Sequence, residues 1–273
     1  MQFETGFKIL GTSASSGNMV IRVAKNGRFR TLKVLKPELR GDARFEALLR
    51  KEFEISYGLD HPNVCKTYSF GDDERFGHYI EMEWVDGITL EELLSSGMPD
   101  RHLCRKLILE LCDALDYLHH AQVIHRDLKP ENILVTNNGR NVKLIDFGLS
   151  DEDSCYEFRI PCGTKAYASP EQLAGMPLDS RSDIYSLGLI IREMSGGRYA
   201  RICTKCLRRD RDKRYATASE IRSAVVRRPY LIGAAILAAV LAIVVGTAAI
   251  CYHQSTENDR IFEDTTREIM ELL

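Results

Sequence analysis

The chain has 273 residues, 44% of them hydrophobic, enough to bury a substantial core as one large domain or two small ones. With 37 Lys and Arg against 39 Asp and Glu, its formal net charge of −2 gives no electrostatic case for a nucleic-acid partner. Eight scattered cysteines exclude a small disulfide-stapled domain and point to a reducing compartment.

The first ten residues lack the apolar core of a signal peptide, so the N-terminal part is expected to stay unexported. Residues 7–10, 19–23 and 29–35 are apolar runs that predict consecutive strands, the last two joined at the Asn26-Gly27 turn. Taken alone, the stretch from Gly11 to Gly17 is an ordinary Ser/Gly-rich hairpin. Residues 43–59 predict a helix with apolar Phe45, Leu48, Leu49, Phe53 and Ile55. Residues 79–85 predict a further strand, ended by a turn at Asp86-Gly87. From Asp100 to Ala121 the residues Leu103, Leu107, Leu111, Leu115 and Leu118 mark the buried face of a helix, with Asp100 as its cap. His119 and His120 at its end are expected to pack or to face the helix dipole rather than to catalyse.

The chemistry concentrates in His125-Arg126-Asp127-Leu128-Lys129-Pro130-Glu131-Asn132 and, downstream, in Asp146-Phe147-Gly148. Residues 133–135 and 142–145 between them are short β-branched-rich runs, and Asn138-Gly139 in the connection signals a hairpin. Such a hairpin sets the end of the first motif beside the start of the second. Asn132 and Asp146 then become neighbouring oxygen ligands, as a hard divalent cation such as Mg²⁺ requires. Asp127 faces the same ion-bound phosphate from the substrate side.

In this order and spacing the two motifs strongly resemble the catalytic and magnesium loops of the eukaryotic-type (Hanks-type) Ser/Thr protein kinases, in a bacterial-like single-pass membrane form. The resemblance covers roughly residues 7–226. It implies an α+β, two-lobed protein-kinase-like fold with a β-rich N-lobe and a helical C-lobe, and transfer of the ATP γ-phosphoryl to Ser/Thr hydroxyls of a protein substrate. Asp127 would orient the hydroxyl and accept its proton, Lys129 would neutralise the transferring group, and Asn132 and Asp146 would hold Mg²⁺. Lys33 matches the strand lysine that holds the α- and β-phosphates. Glu52, nine residues before His61-Pro62-Asn63, matches the helix glutamate that fixes that lysine. Gly11 and Gly17 fall in the glycine-rich loop, although Ser13 replaces its second glycine and Gly17 fits only with one inserted residue. Met82 stands as gatekeeper, with Glu83 and Val85 as the hinge positions that meet adenine. His125 is implied to be structural. Ser169-Pro170-Glu171 is a variant of the family's A-P-E motif, Asp183 would anchor the catalytic-loop backbone, and Arg214 would pair with Glu171. Arg126 is placed to pair with a phosphate on the activation segment, whose hydroxyls are Ser150, Ser154, Tyr156 and Thr164. One departure stands out: only the stretch from Ser195 to Ala200 separates two helices where the family has helix G.

Cys203 and Cys206 form a CxxC without a second pair or nearby histidines, so buried helix cysteines are expected there rather than zinc. Residues 231–251 form an uncharged apolar run long enough to span a bilayer. Arg222, Arg227 and Arg228 precede it, and the tail carries six acids against two arginines. That asymmetry puts the kinase part on the cytoplasmic side of the plasma (inner) membrane and the tail outside. The expected division is residues 1–85 for the N-lobe, 86–228 for the C-lobe, 229–251 for the membrane helix and 252–273 for a short extracytoplasmic tail. Ala234, Ala238, Ala242 and Gly246 recur every four residues and suggest a homodimer through that helix. The competing reading is a pseudokinase, a nucleotide-binding scaffold without phosphoryl transfer, to which the altered glycine loop and the missing helix G point.

Overall fold

Five antiparallel strands make the first layer: β1 (Phe7–Thr12), β2 (Asn18–Lys25), β3 (Arg28–Leu35), β4 (Thr67–Asp73) and β5 (Gly77–Glu83), in the order β1-β2-β3-β5-β4. The computed structural model describes residues 6–12, 17–147 and 166–272. Ser13, Ser16, Gly148, Ser150, Ser154, Tyr156 and Thr164 lie outside them. Asn26 and Gly27 join β2 to β3 with φ of 53° and 69°, the pair of left-handed conformations that a two-residue hairpin needs and that Asn-Gly supplies at low cost. Strand alternation then sorts the side chains. Ile21, Val23, Leu32, Val34 and Tyr79 gather with Phe76 in one cluster, while Leu35, Ile80 and Met82 join Leu49, Cys65 and Val85 in another.

Helix α1 (Ala43–Tyr57) starts at Asp42, whose carboxylate accepts the Arg44 amide. Its buried residues are Leu49, Glu52 and Ser56, a helical stripe in which one member is an acid. Gly17 closes the other side of this corner. Its φ of +68° disfavours a side chain, and a Cβ there would stand 2.6 Å from Leu39 Cδ1. Its carbonyl accepts the Lys36 amide at 2.9 Å.

The second layer is helical. Helices α2 (Leu90–Ser96) and α3 (Arg101–His120) are both capped from the sequence side, α2 by a Thr89–Glu92 capping box and α3 by Asp100, which accepts the His102 and Leu103 amides. The buried face of α3 carries Cys104, Leu107, Ile108, Leu111, Cys112, Leu115 and Leu118. It packs against Ile184, Leu187, Ile190 and Ile191 of α5 (Arg181–Ser195) and against a small sheet of β6 (Gly87–Thr89), β7 (Ile133–Thr136) and β8 (Val142–Leu144). A short α4 (Pro170–Leu173) precedes α5, and α6 (Ala200–Cys206) follows it after only four residues, opening at Gly196 with φ of 54°. Cys203 and Cys206 are both buried in this core, and no group of three or more metal-ligating side chains is assembled among the described residues.

The chain divides into two units, Met1–Val225 and Val226–Leu273. The last helix, α7 (Ala218–Leu272), supplies Ala218, Ile221 and Val225 to the core of the first unit. In the second unit the helix continues through the tail, and Ile236–Asn258 is long and apolar enough to cross a membrane, with no part of it buried. Leu237, Val240, Leu241, Val244 and Val245 are exposed there, as lipid-facing residues would be.

Candidate active site

Lys33 lies between Leu32 and Val34 of β3, and alternation sends its side chain to the α1 side of the sheet, where it meets the one acid of the α1 buried stripe. Its Nζ lies 2.6 Å from Glu52 Oε1 and 2.7 Å from Asp146 Oδ1, with the lysine and Glu52 side chains 6% and 4% exposed. Burial disfavours the ammonium, but the Asp146 and Glu52 carboxylates outweigh it and hold the Lys33 pKa above the ordinary lysine value. A charge so buried is tolerable only with such partners.

Asp146 reaches the lysine through the hairpin. Ile133 pairs with Leu144 and Val135 with Val142, and the Ile145 amide donates to the Asn132 carbonyl at 3.0 Å. Asn132 and Asp146 therefore stand at the open end of one β-ladder. Asp146 adopts φ of 68°, a left-handed conformation rare for a non-glycine residue. Phe147 behind it is buried beside the His125 ring, at 5.4 Å between centroids, and His125 Nε2 hydrogen-bonds the Ile145 carbonyl at 3.2 Å.

The loop before Asn132 is held from below. Asp183, fully buried in the first turn of α5, accepts the His125 and Arg126 amides at 2.9 Å each and the His119 imidazole at 2.8 Å. Burial would raise the Asp183 pKa, but the hydrogen bond and charge of His119 and the charge and amide of His125 bring it below the usual value. Arg126 is left-handed, with φ of 64°, and its carbonyl accepts Gln172 Nε2 at 2.7 Å. Above this support, Lys129 Nζ lies 2.7 Å from Asp127 Oδ2, and Asn132 Nδ2 donates to the Asp127 carbonyl and to Oδ2 at 2.9 and 3.0 Å. Those two acceptors claim the nitrogen of the Asn132 amide and leave its Oδ1 as the outward acceptor. Asn132 Oδ1 and the Asp146 carboxylate suit a hard cation that completes its shell with phosphate oxygens and water.

An apolar cluster adjoins this polar end through Ile145, the neighbour of Asp146. Cys65, Met82 and Val85 cluster with Leu134 of β7 and Ile145, joining the two layers. The Val85 amide, on a buried residue, has no hydrogen-bond partner among the described residues. Glu83 is tied at its amide to the Lys66 carbonyl at 2.8 Å and at its carboxylate to Lys143 Nζ at 2.7 Å. Gly11 stands in β1 opposite Val20, beyond a register shift after Ile9. Arg214 forks onto Glu171 at 2.6 and 2.7 Å, and Ser182 Oγ donates to the same carboxylate at 2.9 Å.

These positions thus form two groups: Lys33, Glu52 and Asp146 in one, and Asp127, Lys129 and Asn132 in the other, bridged by the hairpin. The protein kinase domain family matches residues 6–200. The chain belongs to this family. Among curated relatives, a probable serine/threonine-protein kinase of Streptomyces coelicolor is 39% identical over 179 residues, covering 62% of this chain and 26% of its own length. The serine/threonine-protein kinase PknB of Mycolicibacterium smegmatis is 31% identical over 268 residues, covering 83% of this chain and 43% of its own. The chain therefore spans well under half the length of these relatives. The kinase domain of Mycobacterium tuberculosis PknI superposes with a TM-score of 0.66 at 23% identity over 84% of this chain and 98% of that domain, which establishes the two-lobed fold.

Three residues of the candidate site were not assigned from the sequence. His119 packs in the last turn of α3 as expected, and there it also holds Asp183. Gln172 and Lys143 tie the catalytic loop and the hinge to neighbouring elements. No spacing rule marks them, because each partner is distant in the chain.

Proposed function

We propose that this chain is a membrane-anchored Ser/Thr protein kinase that transfers the γ-phosphoryl of ATP to a protein hydroxyl. The observation that carries the reading is the continuous polar chain from Glu52 through Lys33 to Asp146, set across one hairpin from Asn132, Asp127 and Lys129. In this reading Lys33, fixed by Glu52, positions the α- and β-phosphates, and the amide of Val85 and the carbonyl of Glu83 take the adenine edge. Asn132 and Asp146 hold Mg²⁺, which would neutralise charge on the phosphates. Asp127 orients the substrate hydroxyl and takes its proton, while Lys129 faces the transferring group. Catalysis of this kind is mostly positioning and electrostatics, which a set of buried and partly buried hydrogen bonds supports.

In this reading the apolar helix is the anchor, and the arginines before it support a cytoplasmic kinase unit. Ala238, Ala242 and Gly246 form a small-residue stripe on which two such helices could pack as a homodimer. The reading is tested by incubating the full chain with labelled ATP and Mg²⁺ beside Lys33→Met and Asp146→Asn. Magnesium-dependent labelling of the wild type, reduced by at least about 10²-fold in both variants, supports it. Equal labelling in the three proteins contradicts the assigned roles.

A further inference from the structure

Eleven of the chain's 37 Lys and Arg, but three of its 39 Asp and Glu, fall in residues 196–228, the end of the kinase unit. Some of these cations are engaged inside the fold. Arg214 is held by Glu171, Arg211 by Asp179 and the Pro177 carbonyl, and Arg198 by the Ser195 and Pro99 carbonyls. Lys213 is paired with Asp210 and Arg222 with Asp113. Arg201, Lys205, Arg208 and Arg209 form an exposed group. On α6, Arg201 and Lys205 stand one turn apart on the side away from buried Ile202, Cys203 and Cys206, and exposed Arg208 and Arg209 follow at once. Among the described residues no acidic side chain pairs with Arg201, Arg208 or Arg209. Lys205 lies 4.0 Å from the centroid of the Tyr215 ring. The group is rigidly held, because Arg214 grips the Arg208 and Arg209 carbonyls at 2.8 and 3.2 Å while its own charge is fixed on Glu171.

We propose that this basic surface docks on anionic lipid headgroups of the bilayer in which the chain is anchored; the inference rests on the membrane-anchored reading above. Val225 is buried in the kinase core, and Leu231, the first residue of the apolar run, is six steps further along the chain. Even fully extended, six residues span at most about 20 Å. Val225 is thereby confined to within a few Debye lengths of the headgroups, each about 8 Å at physiological salt. The tether keeps the unit at the leaflet, where exposed cations that turn to an anionic surface are drawn to it, each one adding to the attraction. A nucleic acid offers the same charge, but the bilayer is the anionic surface to which the chain itself is tethered.

The test is amide hydrogen exchange on the full chain in nanodiscs, comparing phosphatidylcholine alone with phosphatidylcholine plus phosphatidylglycerol. Exchange across residues 200–213 is expected to slow by about tenfold in the anionic discs. The slowing should vanish in the triple variant Arg201→Gln, Arg208→Gln, Arg209→Gln, and in wild type at about 1 M salt, where the Debye length is about 3 Å. A chain that stays in the discs yet exchanges at one rate in both lipids overturns the docking and leaves the anchor standing. A chain that alkaline carbonate strips from the membrane overturns the anchor, and the docking with it. Equal protection by duplex DNA in neutral discs overturns the assignment to lipid.

Discussion

At the scale of residues, the site is a small number of charges whose burial makes each depend on its neighbours. Lys129 pairs with Asp127 at 2.7 Å, in the group assigned to the substrate hydroxyl, so Lys129→Ala is expected to lower kcat by about 10²-fold while leaving ATP affinity within about twofold. Steady-state kinetics with varied ATP checks this. Glu171 makes a prediction of a different kind. Burial would raise its pKa, but Arg214, the Glu171 amide and Ser182 outweigh it and hold the value at about 2. A depressed carboxylate stabilises the fold above its ordinary pKa and loses that contribution as pH falls through the folded value. The difference corresponds to about 3 kcal/mol. The stability gap between wild type and Glu171→Gln, measured by denaturant unfolding, is expected to be near that size at pH 7 and to shrink between pH 4.5 and 2. Most of these residues were legible because their motifs are short and local. His119 was not, since its part depends on meeting Asp183 from an element 64 positions away.

At the scale of elements, the loop from His125 to Asn132 is held both by its own contacts to Asp127 and by Asp183 of the helix beneath it. His119→Ala removes one of the three donors to a buried carboxylate. It is expected to destabilise the fold by about 1–3 kcal/mol and to lower kcat by about tenfold with little change in the KM for ATP. Thermal melts and kinetics read the two effects separately. The hinge link is weaker. Lys143 and Glu83 are 17% and 27% exposed, so Lys143→Met should raise the KM for ATP by no more than about fivefold. The strands and helices were readable where periodicity and punctuation agree, as at Asn26-Gly27, at Asp100 and in the hairpin before Asp146. At β1 the strand was read from residues 7–10, while its extension to Thr12 lies beyond a register shift after Ile9 that interrupts the alternation. Gly17, assigned from the sequence to the phosphate-facing loop, also has a packing reason to be glycine, in Leu39 close to where its Cβ would be. A pattern match alone cannot separate those two demands.

At the scale of the whole molecule, a kinase unit is joined to an apolar helix by a few residues. The sequence marked where that helix begins to be apolar, but not that it continues without a break through the acidic tail, since polar residues with good helix propensity carry no boundary signal there. If the small-residue stripe pairs two chains, Ala238→Leu together with Ala242→Leu should reduce cross-linking between full-length chains in membranes and lower trans-phosphorylation, with insertion unchanged. Unaltered cross-linking would leave the helix as an anchor alone. The central claim is phosphoryl transfer, and Asp127 tests it most directly. Full-length protein in bilayers, given γ-labelled ATP and Mg²⁺, is expected to place label on serine or threonine of itself or of a generic substrate. Asp127→Asn, equally folded and still binding ATP, should place almost none. A wild-type chain that binds ATP and melts as a folded protein, yet transfers no more label than Asp127→Asn, would contradict the account.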